Sequence, residues 1–273
     1  NVSVRLSRWP NKLLNLCFWY FGWPKADRML GGTDVFFMPN LNFIALSRDV
    51  RFVLTAHDLS FELFPETFSW KRRLWHVFVD FRRLVRRADR VIAVSQSTAD
   101  DLRAVYGTSE QKIRVIPSGI RDIFRPVDRN DATLLSIKEK YGLPFKFILS
   151  LGTIEPRKNL ISLLRAFETM QGSGHPELMK YALVIAGTEG WASRDFFDQV
   201  RRSPVRDRII LTGFVEDQDK PGLYSLASAF VYPSLYEGFG FPPLEALACG
   251  TPVIASHSSS LPEVVGAEAI LID

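Results

Sequence analysis

From residue 147 onward, short apolar runs alternate with stretches of helical spacing. The runs cover 147–151, 181–186, 208–212, 229–233, 252–255 and 269–272 and read as buried strands. Between them, 160–170, 194–202, 220–227 and 241–248 read as helices. Strands that alternate with helices predict a parallel sheet covered on both faces, joined by right-handed crossovers. The first half repeats the pattern more loosely: a strand DVFFM ended by Pro39, strands over 51–55, 90–95 and 112–117, and a helix over 98–106 capped by Ser95 or Ser97. Over 70–88, Leu74, Val77, Phe78, Phe81, Leu84, Val85 and Ala88 recur at helical spacing and predict one amphipathic helix. Its other face carries Lys71, Arg72, Arg73, Arg82, Arg83, Arg86 and Arg87. That face is either simply solvated or docks on an anionic membrane surface, where each cation adds ~1 kcal/mol.

The alternation pauses over 121–144, a polar stretch with Pro126 and a short helix near 133–141. This predicts an N-terminal domain over 1–125, a linker over 126–145 and a C-terminal domain over 146–273, both domains Rossmann-like. A chain of 273 residues has room for two such cores, and 47% hydrophobic with 23% charged residues fits a globular protein. The aromatic-rich run 13–23 is too short to span a bilayer and suits a core helix or an interfacial one. No apolar run reaches the length of a transmembrane helix and no signal peptide is recognisable, so a cytoplasmic location is expected. Cys17 and Cys249 lie in unrelated contexts and form neither a disulfide framework nor a metal set. The net charge of +4 favours acidic partners, nucleotide phosphates or anionic lipid heads. No zinc-finger, RNP or recognition-helix pattern supports nucleic acid as one of them.

The candidate chemistry gathers in VYPSLYEGFGFPPLEALACGT, from Val231 to Thr251. Gly238 and Gly240 free the backbone for tight turns and close approach to a ligand. The unpaired amides of a helix beginning at Phe241 face that loop, and Pro242 and Pro243 suit its first turn. This is an anion-binding geometry, with Glu237 at its mouth and Glu245 two helical turns on, within reach of a hydroxyl. An ordinary β–α turn with two solvated glutamates fits the same spacing. Earlier, Gly152-Thr153-Ile154-Glu155-Pro156-Arg157-Lys158-Asn159 sets two cations at an expected helix start, where a divalent anion would meet both charges. It is neither a P-loop nor a dinucleotide glycine motif. His57 and Asp58 follow a strand, at the sheet edge where open α/β folds place ligands; a loop hydrogen bond and a cap are the plain alternative. Gly119, Gly187 and the Gly213-Phe214-Val215 turn end other strands.

The P-S-x-x-E-G-F-G-x-P-x-x-E-A-x-A-x-G-x-P-V stretch, with T-x-H-D-L-S-F and V-I-P-S-G-I before it, resembles the signature of the retaining GT-B glycosyltransferases of family four over 34–273. The resemblance implies an α/β GT-B fold, two Rossmann-like parallel-sheet domains facing a cleft. It implies Glu237 against a donor sugar, the loop of Gly238, Phe239 and Gly240 on the diphosphate, and Glu245 on the ribose. His57 would hydrogen-bond the sugar, Arg157 and Lys158 would neutralise the leaving nucleotide, Gly119 and Gly152 would let the backbone approach it, and Gly187, Phe214 and Val215 would floor the site. Phe214 is equally readable as core. Two departures are Ser118, where asparagine is more usual, and Thr153, where many members carry arginine. G-T-I-E-P-R-K-N is similar to mannosyltransferase members. The implied activity is metal-free transfer of mannose from GDP-mannose, with retention, to a saccharide or lipid-linked acceptor, without a cofactor, on the inner membrane face. The rivals are a nucleotide-sugar epimerase or glycogen-synthase-like enzyme, and a non-catalytic binding subunit. The sequence lacks an initial Met, a first-domain glycine loop and a closing helix, and reads as truncated at both ends.

Overall fold

The computed structural model describes residues 3–128 and 130–273. The chain divides into two compact units, one of Asn1–Leu63 and Trp70–Pro117, the other of Phe64–Ser69 and Ser118–Asp273.

In the first unit β1 (Val35–Met38), β2 (Arg51–Ala56), β3 (Arg90–Ala93) and β4 (Ile113–Val115) form a parallel sheet in that order. Phe52, Leu54, Val91 and Ala93 bury against Phe81, Val85, Ala88, Ala99 and Leu102 of the covering helices. The stretch 70–88 departs from expectation. It forms two helices, Trp70–Val79 and Phe81–Arg87, broken at Asp80. Asp80 takes the left-handed conformation (φ 50) and its carboxylate accepts from the Arg83 amide, so the aspartate starts a new helix instead of continuing the old one. Only the second helix buries the expected face; Leu74, Val77 and Phe78 stay exposed. The run 13–23 is helical, Asn11–Leu16 continuing as Cys17–Phe21, yet neither segment contributes a buried residue, which removes the core reading.

The second unit holds β5 (Phe147–Leu151), β6 (Ala182–Ala186), β7 (Ile209–Gly213), β8 (Ala229–Tyr232), β9 (Val253–Ser256) and β10 (Ile270–Ile272). All are parallel, in the order β10-β9-β8-β5-β6-β7. The central strands β5, β6 and β8 are buried on both faces, which is why they read as unbroken apolar runs, while the edge strand β10 leaves Ile270 and Ile272 exposed. Along β6, Ala182, Val184 and Ala186 join one core with Leu223, Tyr224 and Ala246, while Leu183 and Ile185 join the other with Leu164, Phe167 and Phe196. Helix Ala132–Lys140 lies within the stretch read as linker, and its buried Ile137 packs with Phe124 and Leu143 into the first of these cores. A Cβ at Gly222 would sit 2.4 Å from Ile137 Cδ1, so glycine makes room for that helix.

The chain lays down β5, β6 and β7 outward, then returns to place β8 on the other side of β5. The loops that leave β5 and β8 therefore diverge from adjacent strands, opening the crevice where such sheets bind ligands.

Candidate functional site

The loop after β5 is set by glycine contacts. A Cβ at Gly187 would lie 2.0 Å from the Gly152 carbonyl oxygen, so the backbones following β5 and β6 can touch only with glycine at 187. Pro156–Lys158 then forms one 3-10 turn, Asn159 turns left-handed (φ 53), and helix Leu160–Gly172 follows. Arg157 and Lys158 thus precede the helix instead of opening it, a correction to the sequence expectation. The turn is tied to the loop after β8, where the Leu235 amide donates to the Arg157 carbonyl (2.9 Å) and so does Ser234 Oγ (3.1 Å).

Both cations turn onto Glu237. Its Oε1 accepts from Lys158 Nζ (2.6 Å), Ser234 Oγ (2.6 Å) and the Tyr232 hydroxyl (3.0 Å), while Oε2 is 2.9 Å from Arg157 Nη1. Arg157 also donates to the Tyr236 carbonyl (2.6 Å) and, through Nη2, to Glu155 (2.7 Å). Lys158 donates a second bond to the Tyr232 hydroxyl at 2.6 Å. Two cations and two carboxylates form one charge-balanced, buried cluster, with side-chain exposures of 15% for Arg157, 12% for Lys158, 3% for Glu155 and 10% for Glu237. Burial alone would raise the Glu237 pKa, but the Lys158 and Arg157 charges and the bonds from Lys158 and Ser234 outweigh it and hold it down to about 2. These contacts use two of the three ammonium protons of Lys158. The third can donate to a further acceptor.

Helix Phe241–Ala248 begins on Gly240, left-handed at φ 108, where a Cβ would come within 2.7 Å of Leu261 Cδ2. No side chain caps this start, and because Pro242 and Pro243 carry no N–H, Phe241 has the one amide among the helix's first three residues that can donate to a ligand. Glu245, on the helix, accepts from the Tyr224 hydroxyl at 2.9 Å. Its pKa is raised, mainly by burial, and the Cys249 thiol nearby is pushed up to about 12 by burial and by the Glu245 charge. The two glutamates thus differ: Glu237 is held firmly ionised, while Glu245 is eased toward its neutral form.

The family model described as glycosyl transferases group 1 matches residues 136–273, and that of Glycosyltransferase Family 4 matches 4–122. The chain belongs to the group 1 glycosyl transferases. O-antigen chain mannosyltransferase B of Escherichia coli is 34% identical over 233 residues, which are 85% of this chain and 60% of that protein. Serotype-specific mannosyltransferase WbdA of Escherichia coli is 33% identical over 228 residues, 79% of this chain and 26% of that protein. The chain therefore spans less than two thirds of each of these relatives. HepE of Anabaena, solved in complex with UDP and glucose, shares the fold at a TM-score of 0.68 and 20% identity, over 90% of this chain and 65% of that one. Two parallel sheets in an α/β chain are the GT-B architecture of these glycosyltransferases.

Within this group 1 transferase, the tertiary structure brings together Gly152, Arg157, Lys158, Gly187 and Glu237, with Gly238, Phe239 and Gly240 continuing the glutamate loop. Glu245 stands apart from the cation cluster, on Tyr224. Phe214 is 67% exposed and is not core, whereas its neighbour Val215 is buried at 4%. Gly119 is exposed, with open space where a Cβ would stand. His57 belongs to the first unit and donates from Nε2 to the Pro39 carbonyl at 2.7 Å; Asp58 accepts from the Ser60 amide at 2.9 Å, so both make the local bonds of the plain alternative. Asp217 pairs with Arg121 and Lys220, and Asp219 with Lys140. Among the described residues no group of three or more His, Cys, Asp or Glu side chains is placed to hold a metal ion, and no helix is long and apolar enough to cross a membrane.

Sequence reasoning missed Glu155, Tyr232, Ser234 and Tyr224, whose polar groups complete the two glutamate environments. The available signal was a tyrosine ending an apolar strand, since a buried phenol needs a partner. It also missed the run Ser258-Ser259-Ser260, which reads locally as nothing more than a polar turn.

Proposed function

We propose that this chain is the donor-binding part of a metal-free retaining mannosyltransferase that moves mannose from GDP-mannose to a saccharide or lipid-linked acceptor. The observation that carries the reading is the Arg157–Lys158–Glu237 cluster at the crevice between β5 and β8, beside an uncapped helix start. The mannosyltransferase names of the relatives support the choice of sugar. In this reading Glu237 anchors both cations and lies against the donor sugar. Lys158, Arg157 and the amides of Gly238, Phe239 and Gly240 receive the diphosphate and offset the charge on the departing nucleotide, in place of a metal. Glu245 takes the ribose, exchanging its bond from Tyr224 for one from a ribose hydroxyl. Gly119, Gly152, Gly187, Phe214 and Val215 line the nucleotide.

Calorimetric titration with GDP, UDP, ADP and their sugar conjugates, wild type beside Lys158→Ala, tests this. The expected outcome is a preference for GDP and GDP-mannose, indifference to EDTA, and a loss of about 2.7 kcal/mol or more in transfer on substitution, the scale of one lost electrostatic stabiliser. Preference for UDP would move the donor to the class bound by HepE. A second reading, a binding subunit without turnover, is favoured by the saturation of Glu237, whose Oε1 already accepts three bonds. Nucleotide binding with no sugar transferred to any acceptor would establish that reading instead.

A further inference from the structure

The β8 loop is held from behind by hydroxyls. β9 lies beside β8, with Tyr232 paired to Ala255, so the chain leaving β9 runs under the loop leaving β8. Ser256 Oγ donates to the Ser234 carbonyl and Ser258 Oγ to the Leu235 carbonyl. Ser259 Oγ accepts from the Glu237 amide at 2.7 Å. Ser260 Oγ, fully buried, shares its proton between the Glu237 carbonyl (2.9 Å) and the Phe239 carbonyl (2.7 Å). The backbone of Glu237 is therefore clamped at both its donor and its acceptor by two consecutive serines. Ser259 holds a left-handed conformation (φ 50) that glycine adopts more readily. What serine supplies there, and glycine cannot, is the acceptor for that amide.

We propose that Ser258, Ser259 and Ser260 are positioning residues that fix the backbone of 235–239, so that Glu237 and the following amides are preset for a diphosphate-bearing donor. The proposal rests on the function argued above. The loop is irregular, so the sheet ladder cannot hold it. Side-chain hydroxyls from the turn that follows β9 take over that task, and the loop's shape no longer depends on the ligand being present.

Ser259→Gly is the discriminating variant, because it removes the hydroxyl while suiting the backbone. Amide exchange over 234–241 and calorimetric GDP binding are measured on the full chain for wild type, Ser259→Gly and Ser260→Ala. The expected result for Ser259→Gly is an undiminished melting temperature and wild-type protection in β8 and β9, with exchange over 235–240 about tenfold faster and GDP binding about tenfold weaker. Ser260→Ala should loosen the same segment. Wild-type protection over 235–240 in Ser259→Gly overturns the proposal. So does a loosened loop that binds GDP as tightly as the parent. If the wild type itself binds no nucleotide, the donor reading fails first and the proposal falls with it, an outcome separate from the other two.

Discussion

Glu237 and Glu245 lie on either side of one loop and one helix start, and their surroundings push them in opposite directions. Glu237 has a folded pKa depressed from 4.5 to about 2, so its stabilising contribution is present above the unfolded value and is lost as pH falls between those limits. That limb of the acid-unfolding curve is worth up to about 3 kcal/mol. Glu237→Gln should abolish it and, by leaving Arg157 and Lys158 short of counter-charge, lower stability at pH 7 by about 3 kcal/mol in urea titrations. An acid limb identical to the parent's would show that the cluster does not hold the carboxylate. Glu245 carries the other sign. Its folded pKa is raised, so the fold favours the protonated form, and that contribution is lost as pH rises through the folded value. Glu245→Gln keeps an acceptor for Tyr224 and removes the buried charge, so its melting temperature at neutral pH should equal or exceed the parent's. A lower melting temperature would mean that the ionised form is the stabilising one.

At the scale of elements, the site depends on how closely two strand ends approach. Gly187, at φ 136, lets the chain after β6 pass against the Gly152 carbonyl, and this contact sets the level from which the Arg157–Lys158 turn departs. Gly187→Ala combines backbone strain with a backbone clash. It should cost about 3 kcal/mol or more, read as a lower urea midpoint. Loss of GDP binding should accompany it even where the variant remains folded; a neutral effect would mean that the two loops are free to part. The helix break at Asp80 illustrates the limits of periodicity. Apolar spacing runs straight through 70–88, but one aspartate able to take αL and cap Arg83 divides the stretch, and the two halves meet different environments.

For the whole molecule, charge and exposed apolar surface coincide on helix Trp70–Val79. Trp70, Leu74, Val77 and Phe78 are exposed beside Lys71, Arg72 and Arg73. If this face meets an anionic membrane surface, as we propose, the chain should co-sediment with phosphatidylglycerol vesicles in preference to phosphatidylcholine ones. Replacing the three cations with alanine should weaken that binding about a hundredfold, at ~1 kcal/mol for each. Equal sedimentation with both vesicle types would sink the idea. The two sheets have separate cores, Phe52 and Val91 with Phe81 in one unit and Leu149 and Phe230 with Tyr224 in the other, so vesicle binding and nucleotide binding can be impaired independently.

The sequence by itself determined the α/β class, the strands of both sheets and the helix Phe241–Ala248, because strands of a parallel sheet covered by helices are mainly apolar, even where edge strands such as β1 and β10 leave residues exposed, and a helix start needs its glycine and prolines locally. It also pointed to Glu237, Lys158 and Arg157 as candidates through their motifs. It did not show that these three form one buried cluster, that Glu155, Tyr232 and Ser234 complete it, or that a serine run beyond β9 holds the loop. Nor could it show that Phe214 and Phe78 face outward. The buried cluster and the serine contacts follow from placing β8 between β5 and β9, which joins residues 79 positions apart. Strand order is decided by burying both faces of the sheet together, and no local stretch of sequence carries that information.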